Sequence, residues 1–270
     1  MIWINGQEEH SLSARDRAVQ FGDGCFTTSA VQNGRVLQLS AHLRRLQEGC
    51  QRLLIDRVDW ARLEQEMRDC ARQQQEAVLK VIISRGEGGR GYSGAGCGEA
   101  TRILALLPYP QHYRAQREEG IRLTLSPIRL ACSPLLAGIK HLNRLEQVLI
   151  RAHLDQSDAD EALVLDTEGR VVECCAANLF WRKGEQVFTP SLHEAGVEGT
   201  MRRYLMTQME KSGPPCQVVS TGKEAVLEAD EVVICNALMP VLPVRQLDHV
   251  TYHARTLFDR LYASCEKMEA

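Results

Sequence analysis

The sequence has no long hydrophobic run, few aromatic residues and almost no excess of either charge. Aromatic residues make up 5% of the 270 residues, and the formal net charge is -3. No apolar stretch approaches the roughly 20 residues that cross a bilayer, and the opening residues, MIWINGQEEH, do not match a signal peptide. We therefore expect neither membrane insertion nor a nucleic-acid partner.

The ten cysteines also lack a metal-binding pattern, because no two of them have the Cys-x-x-Cys spacing of a zinc or redox site. Most lie among apolar neighbours, where a free thiol behaves as a small hydrophobe. We therefore expect reduced thiols and a cytoplasmic protein. His249 and His253 have the spacing of a helical metal-binding pair, but the strand-forming residues between them predict separate surface histidines and no metal site.

What is present is an ordinary globular composition, with 44% hydrophobic and 25% charged residues. The length favours two domains of mixed α+β (α/β two-domain) class. The segment Pro108–Pro110 interrupts the pattern of strands and helices. It predicts a small α/β domain at 1–108, a linker at 109–119 and a larger domain at 120–270.

Local patterns predict individual elements. Asn33-Gly34 joins two runs of strand-forming residues and predicts a hairpin. Ser40 is expected to cap the helix that follows. In the second half, one helix is expected from about residue 141, directly after Lys140, and another after Gly199.

Three glycines, Gly86, Gly88 and Gly91, fit the G-x-G-x-x-G pattern of dinucleotide-binding sites and follow a predicted strand. Such a site also needs a helix directly after the glycines, so that the phosphate meets its N-terminus. Here the chain continues through more glycine into another strand. We interpret the segment as a flexible hairpin loop.

Lys140 lies among small and apolar residues at the predicted start of a helix. Apolar surroundings and the helix dipole would both favour a neutral amine, which a Schiff base requires. Glu173 interrupts an apolar strand, where a carboxylate needs a cationic partner. Each also has a plain alternative: a solvated lysine at a helix start, and an edge strand with its glutamate in solvent.

Two helix starts could bind an anion. Gly199, Thr200 and Met201 open a helix whose free N–H groups would donate hydrogen bonds to a phosphate, or these residues simply cap the helix. Arg44 and Arg45 lie in the first turns of another helix, where the dipole opposes a cation unless an anion, or solvent, offsets it.

The segments around Arg45, Lys140, Glu173 and Gly199, taken together and in their order along the chain, resemble a known family. It is the fold type IV family of pyridoxal 5′-phosphate (PLP) enzymes, which includes branched-chain and D-amino acid aminotransferases and aminodeoxychorismate lyases. The matching pieces are a His-x-x-Arg-Leu element, a lysine, Glu-x-x-x-x-Asn-Leu-Phe, Gly-x-x-Arg and a late loop. They are His42–Leu46, Lys140, Glu173–Phe180, Gly199–Arg202 and Asn236–Val244.

Within that family, four runs are similar to the bacterial lyases: Asp16–Thr28, Ser84–Tyr92, Ala137–Gln147 and Ile234–Val241. The resemblance implies a lyase of folate biosynthesis that converts 4-amino-4-deoxychorismate to 4-aminobenzoate and pyruvate. The alternatives are a branched-chain or D-amino acid aminotransferase of the same fold and, more remotely, a non-enzymatic ligand-binding or scaffold protein.

The resemblance also implies residue roles. Lys140 would carry PLP and move the proton, Glu173 would pair with the pyridine nitrogen, and Arg45 would bind the phosphate. The remaining phosphate contacts would come from Thr200 and Met201 and from Asn236 and Ala237, where this chain lacks the family's usual threonine. The substrate carboxylates would be held by Arg90, Tyr92 and Tyr109.

The fold implied is a small α/β N-terminal domain and a larger β-barrel-like C-terminal domain with helices, in a homodimer.

Overall fold

The computed structural model describes residues 1–212, 215–265 and 268, which divide into two compact units. The first unit holds Met1–Tyr109, Ile139–Asn143 and Met268, and the second holds Pro110–Gly138 and the described residues of Arg144–Lys267. The chain thus divides after Tyr109, in the proline-rich segment. The short segment Ile139–Asn143 belongs to the first unit, although it lies within the larger domain in the sequence-based division.

The first unit is built on a sheet of six antiparallel strands. The strands are β1 (Ile2–Ile4), β2 (Gln7–Glu8), β3 (Gly24–Gln32), β4 (Arg35–Val36), β5 (Glu76–Ser84) and β6 (Thr101–Leu107). Their order in the sheet is β2-β1-β6-β5-β3-β4. Asn33 and Gly34, between β3 and β4, have φ values of 49° and 78°. A tight hairpin turn needs such left-handed residues, and the predicted hairpin is confirmed.

One face of this sheet is covered by helices. The helices of the first unit are α1 (Arg17–Phe21), α2 (Leu39–Arg52) and α3 (Trp60–Ala71). Leu46 of α2 and Leu63 and Met67 of α3 share a fully buried core cluster with Leu79 and Leu104 of the sheet. Burying each such side chain contributes about 1.5–3 kcal/mol.

The second face of the sheet carries different side chains. Leu79 and Ile83 of β5 belong to the helix-covered core. Because side chains alternate along a strand, Lys80 and Ile82 lie on the opposite face, where both are half-buried. Phe26 of β3 is the Cα partner of Ile82 and lies on this face too. A lysine and an aromatic ring therefore share the second face.

The start of α2 differs from the prediction. The helix begins at Leu39, and its N-cap is Gln38, in the left-handed region with no side-chain cap bond. Ser40 lies inside the first turn, so the predicted serine cap is wrong. The turn from β4 places Gln38 at φ 52°, and this backbone geometry sets where the helix starts. The Ser40 hydroxyl does not control it.

The second unit holds a nine-stranded sheet. Its strands are β7 (Ile121–Leu125), β8 (Glu161–Leu165), β9 (Val171–Cys174), β10 (Asn178–Lys183), β11 (Gln186–Pro190), β12 (Gln217–Val219), β13 (Glu231–Cys235), β14 (Leu242–Leu247) and β15 (Val250–Thr251). The order is β12-β11-β10-β13-β14-β7-β8-β9, and β15 pairs with β14. Parallel pairs join β11 to β12, β14 to β7 and β7 to β8, while the rest are antiparallel.

Five helices accompany this sheet: α4 (His112–Glu119), α5 (Leu145–Leu154), α6 (Thr200–Ser212), α7 (Glu224–Leu227) and α8 (Thr256–Cys265). Helix α4 occupies most of the segment interpreted as a linker. Both units thus combine sheet and helix, which confirms the α+β class. No helix in the described part of the chain is long and apolar enough to cross a membrane.

Candidate active site

Lys140 lies on a strap that runs along β3 rather than at the front of a helix. The N–H of Phe26 donates to the Lys140 carbonyl over 2.9 Å, and the N–H of Leu142 donates to the Gly24 carbonyl over 3.0 Å. Helix α5 begins only at Leu145. The predicted helix start at Lys140 is therefore wrong, and the helix dipole does not act on its amine.

The Lys140 side chain is half-buried and rests on an aromatic ring. Its Nζ lies 4.6 Å from the centroid of the Phe26 ring. The negative face of an aromatic ring attracts an ammonium group. The strap thus fixes the backbone of Lys140 by hydrogen bonds, and Phe26 fixes where its nitrogen lies.

Arg45 lies in the second turn of α2, half-buried, one turn after His42. His42 is buried and its Nδ1 lies 2.6 Å from the Thr27 Oγ1 of β3. Burial and, to a smaller extent, the positive charge of Arg45 lower the pKa of His42 to about 3. The histidine is therefore neutral at ordinary pH, and its bond to Thr27 ties the helix of Arg45 to β3, which also carries the strap.

Glu173 lies on β9, the last strand of its sheet, yet it is only 5% exposed. Its Oε2 accepts a hydrogen bond of 2.7 Å from the Val197 N–H. Burial lowers the pKa of the neighbouring Arg144, and the charge of Glu173 offsets part of that effect. The alternative of a solvated glutamate is wrong, because the Glu173 side chain is buried and its carboxylate accepts from the Val197 N–H.

The N-terminus of α6 has the features of an anion site. Thr200 is buried, and its Oγ1 has no hydrogen-bond partner within the described residues. A Cβ added to Gly199 would lie 2.0 Å from the Asn178 Oδ1, so only glycine fits there. A phosphate would satisfy both the hydroxyl and the first N–H groups of this 13-residue helix. The residues therefore fit the phosphate of PLP.

Asn236 shapes the late loop through its own side chain. Its Oδ1 accepts from the N–H groups of Leu238 and Met239 over 2.8 and 2.9 Å, and its Nδ2 donates to the Ala176 carbonyl over 3.0 Å. These bonds leave the Ala237 N–H as a backbone donor of the loop with no partner among the residues described.

The Gly-rich loop after β5 is anchored by a buried arginine. Arg17 donates to the carbonyls of Gly91 and Tyr92, both over 3.0 Å, and forms a 2.7 Å ion pair with Asp23. Tyr92 itself is 88% exposed and Arg90 is exposed. No helix follows these glycines, since the chain enters β6, which agrees with the hairpin-loop interpretation.

The other candidates are dispersed. Tyr109 is half-buried at the end of the first unit. His249 and His253 are exposed on either side of β15. Within the described part of the chain, no group of three or more His, Cys, Asp or Glu side chains could hold a metal ion.

Sequence reasoning missed three polar groups near these residues: the Thr27–His42 pair, Lys80 and Glu161. The Lys80 Nζ lies 5.2 Å from the same Phe26 ring that Lys140 covers. Glu161 accepts from the N–H groups of Ala162 and Ala176, and burial raises its pKa to about 7. A charged residue inside an apolar strand was the pattern that could have identified Lys80, and a charged residue at the start of one could have identified Glu161.

Comparison with known proteins shows the family to which the chain belongs. Residues 24–247 match the family described as amino-transferase class IV. The chain is 38% identical to an aminodeoxychorismate lyase of Vibrio harveyi, over 90% of each chain.

Two solved structures are similar over nearly the whole chain. The 4-amino-4-deoxychorismate lyase of Pseudomonas aeruginosa superimposes with a TM-score of 0.93 at 39% identity, covering 98% of both chains. The branched-chain amino acid aminotransferase of Escherichia coli superimposes with a TM-score of 0.88 at 21% identity, covering 99% of this chain and 94% of the other. The second shows a shared fold only. Together they confirm the fold type IV architecture implied by the sequence resemblance.

Proposed function

The chain belongs to the aminotransferase class IV family, and on that premise we propose that it is a PLP-dependent lyase converting 4-amino-4-deoxychorismate to 4-aminobenzoate and pyruvate. The observation that carries this proposal is the 39% identity over 98% of the Pseudomonas aeruginosa lyase, against 21% for the Escherichia coli aminotransferase. The reaction belongs to folate biosynthesis.

In the first unit, Lys140 and Arg45 are proposed to contact the cofactor. Lys140 would hold it covalently through its amine. The strap along β3 fixes the backbone of Lys140, and its amine lies against the Phe26 ring. Arg45 would donate to the phosphate, and the neighbouring His42 is neutral and adds no charge there. The lysine and the arginine are thereby positioned by one strand and the helix tied to it.

In the second unit, Glu173 is proposed to pair with the pyridine nitrogen and keep it protonated. The N–H groups of Thr200, Met201 and Ala237, with the unpartnered Thr200 hydroxyl, hold the phosphate. Asn236 supports these contacts by shaping its loop, since both ends of its amide bond to backbone.

The proton chemistry follows from these placements. When bound, PLP supplies an electron sink for the negative charge that forms when the substrate carbon loses a proton. The Lys140 amine would accept the proton from the amine-bearing ring carbon of the substrate. The neighbouring ring carbon–oxygen bond of the enolpyruvyl ether would then break, which makes the ring aromatic. The enolpyruvate that leaves would take up one proton at its methylene carbon to become pyruvate, and this proton balances the one removed from the ring carbon. Arg90, Tyr92 and Tyr109 are proposed to hold the substrate carboxylates.

A homodimer is proposed as the working form. Three apolar side chains of α5 are exposed on one helical stripe, Leu145 at 78% and Val148 and Leu149 at 58% each. A contiguous apolar surface of this kind marks a protein contact. Light scattering that gives the mass of one chain would contradict this part of the proposal. The working location is proposed to be the cytoplasm, in keeping with ten free thiols.

Reduction with borohydride tests the cofactor assignment. The purified protein should be yellow, and borohydride should fix PLP on Lys140, as peptide mapping would detect. A label on another lysine, or none, would contradict the assignment. A colourless protein would favour the non-enzymatic alternative.

A coupled assay separates the lyase from an aminotransferase. Aminodeoxychorismate is supplied alone, and pyruvate is followed with lactate dehydrogenase together with the cofactor spectrum. Sustained pyruvate release without any added keto acid, with 4-aminobenzoate formed in equal amount, is expected of the lyase. An aminotransferase would convert its cofactor to the amine form and stop. Bleaching by a branched-chain or D-amino acid without pyruvate release would assign that activity instead.

A further inference from the structure

The Gly-rich loop between β5 and β6 has a closely packed base and an open tip, residues 89–96. At the base, a Cβ added to Gly86 would lie 2.2 Å from the Glu99 carbonyl oxygen. At the two ends of the tip, a Cβ added to Gly89 or Gly96 would meet no atom of the described residues within 4 Å. Packing therefore fixes the base of the loop, and the tip needs another support.

The side chain of Arg17 in α1 provides that support. Its Nη1 donates to the Gly91 carbonyl over 3.0 Å and to the Ser93 carbonyl over 3.3 Å, and its Nη2 donates to the Tyr92 carbonyl over 3.0 Å. Its Nε donates to the Asp23 Oδ2 over 2.7 Å. Arg17 is only 3% exposed, so these bonds are shielded from water. One guanidinium group thus holds three successive residues of the tip.

The turn that holds Arg17 also holds the strap of Lys140. Asp23, the ion-pair partner of Arg17, lies in this turn, directly before β3. The next residue, Gly24, accepts at its carbonyl from the Leu142 N–H of the strap over 3.0 Å. All these residues belong to the first unit. The tip of the loop therefore has a defined position relative to Lys140.

The tip presents exposed side chains, although a buried cation holds its backbone. Tyr92 is 88% exposed, and Arg90 is exposed. The Tyr92 ring lies 5.5 Å from the ring of Phe21, which the Arg17 Cζ covers at 4.8 Å. A side chain so exposed adds little to a core, so stability of the fold does not explain why the tip is held. Binding residues are commonly found on loops that a rigid scaffold positions.

We propose that Arg17 is a positioning residue for substrate binding, because by holding the tip it places Arg90 and Tyr92 to contact the substrate carboxylates. This inference rests on the proposed function, in which those two residues hold the carboxylates. A guanidinium group suits the role, since it presents five N–H donors in a rigid plane, whereas the ammonium group of lysine is a point charge. A loop that is already ordered avoids the cost of ordering when the substrate binds.

The kinetic test compares Arg17→Met and Arg17→Lys with the wild-type holoenzyme. Methionine donates no hydrogen bond, and Asp23 keeps Arg85 as a partner at 2.7 Å, so the protein should still fold. KM should rise about 10- to 100-fold, the range expected for losing a hydrogen bond to a charged group, with kcat and the cofactor spectrum unchanged. Arg17→Lys keeps the charge beside Asp23 and should raise KM less. Arg15→Met is the matched control, since Arg15 is exposed two residues earlier, and it should leave KM unchanged.

Limited digestion with trypsin reports directly on the tip. Arg90 is exposed, and cleavage after it requires the backbone of Gly91 and its neighbours to leave Arg17 and extend into the protease. Cleavage of a transiently opened segment follows the population of the open form. Mass spectrometry should therefore detect faster cleavage after Arg90 in Arg17→Met than in the wild type or in Arg15→Met.

A double-mutant cycle shows whether Arg17 acts through the two exposed side chains. In a protein that carries both Arg90→Met and Tyr92→Phe, Arg17→Met should raise KM little further, because the contacts that Arg17 positions are already lost. A full further rise in KM would overturn the proposal.

Three other results would also overturn it. Faster cleavage after Arg90 with unchanged KM would mean that the freed tip does not contact the substrate. A raised KM without faster cleavage would mean that Arg17 does not act through the loop. An altered cofactor spectrum in Arg17→Met would mean that it acts on Lys140 through the shared turn. A wild-type holoenzyme that releases no pyruvate contradicts the proposed function itself, whereas normal wild-type turnover beside an unchanged KM in Arg17→Met contradicts only the assignment of Arg17.

Discussion

Glu161 should make the stability of the second unit depend on pH. Its side chain is 7% exposed at the start of β8, and it accepts hydrogen bonds from the N–H groups of Ala162 and Ala176 over 2.9 and 3.1 Å. Burial raises its pKa from 4.5 to about 7, against the opposing effect of those hydrogen bonds. The folded protein therefore binds this proton more tightly than the unfolded chain does.

The sign and size of the effect follow from that difference. A raised pKa means that stabilisation from protonated Glu161 is complete below pH 4.5 and is lost as the pH rises through about 7. With each pKa unit worth about 1.36 kcal/mol, the free energy of unfolding should fall by about 2.5 kcal/mol between about pH 5 and about pH 8 from this group alone. The loss is large beside a typical total stability of about 5–15 kcal/mol.

Urea denaturation measures this change. Trp181 is buried in the same unit, and its fluorescence would report unfolding across a pH series. Glu161→Gln removes the titrating proton, so its stability should vary with pH by about 2.5 kcal/mol less than that of the wild type. Glu185→Gln, an exposed change, is the control and should keep the wild-type slope. Equal slopes for wild type and Glu161→Gln would refute the argument.

Three further substitutions test the cofactor contacts. Glu173→Gln should retain PLP yet lose most turnover, since a neutral amide cannot stabilise a protonated pyridine; near-normal kcat would contradict its role. Arg45→Ala should weaken PLP binding by about 1.5–3 kcal/mol in a spectroscopic titration, while Arg44→Ala, an exposed neighbour, should not. Gly199→Ala should lower Tm and PLP retention together, because the added Cβ would lie 2.0 Å from the Asn178 Oδ1; unchanged values would show that the loop adjusts.

Features determined by a few adjacent residues could be predicted from the sequence. The Asn33-Gly34 hairpin and the helix after Gly199 both lie where their local patterns indicate. Turn residues and periodic apolar residues act over short distances along the chain, so neighbouring residues are enough to predict these elements. The lyase-like runs were equally local, and they indicated a lyase within the family.

Placement of the active lysine could not be predicted in this way. The apolar and helix-forming residues after Lys140 suggested a helix directly behind it, but the backbone there is bonded to Phe26 and Gly24 more than a hundred positions earlier. The strap depends on where β3 begins in the folded sheet, because it is bonded to residues at the beginning of that strand. The Thr27–His42 bond has the same origin, because it joins a strand and a helix whose approach no local pattern encodes.

The position of Lys80 bears on how one fold serves two chemistries. Lyases and aminotransferases of this family share the fold, so the backbone does not decide between them. Residues that the fold itself requires, such as Leu79 and Leu104 in the helix-covered core, cannot decide either. Whether a member catalyses the lyase or the aminotransferase reaction must therefore depend on side chains that the fold does not require. Lys80 is such a side chain, because it lies outside the helix-covered core and its nitrogen lies 5.2 Å from the centroid of the same Phe26 ring that the Lys140 amine covers.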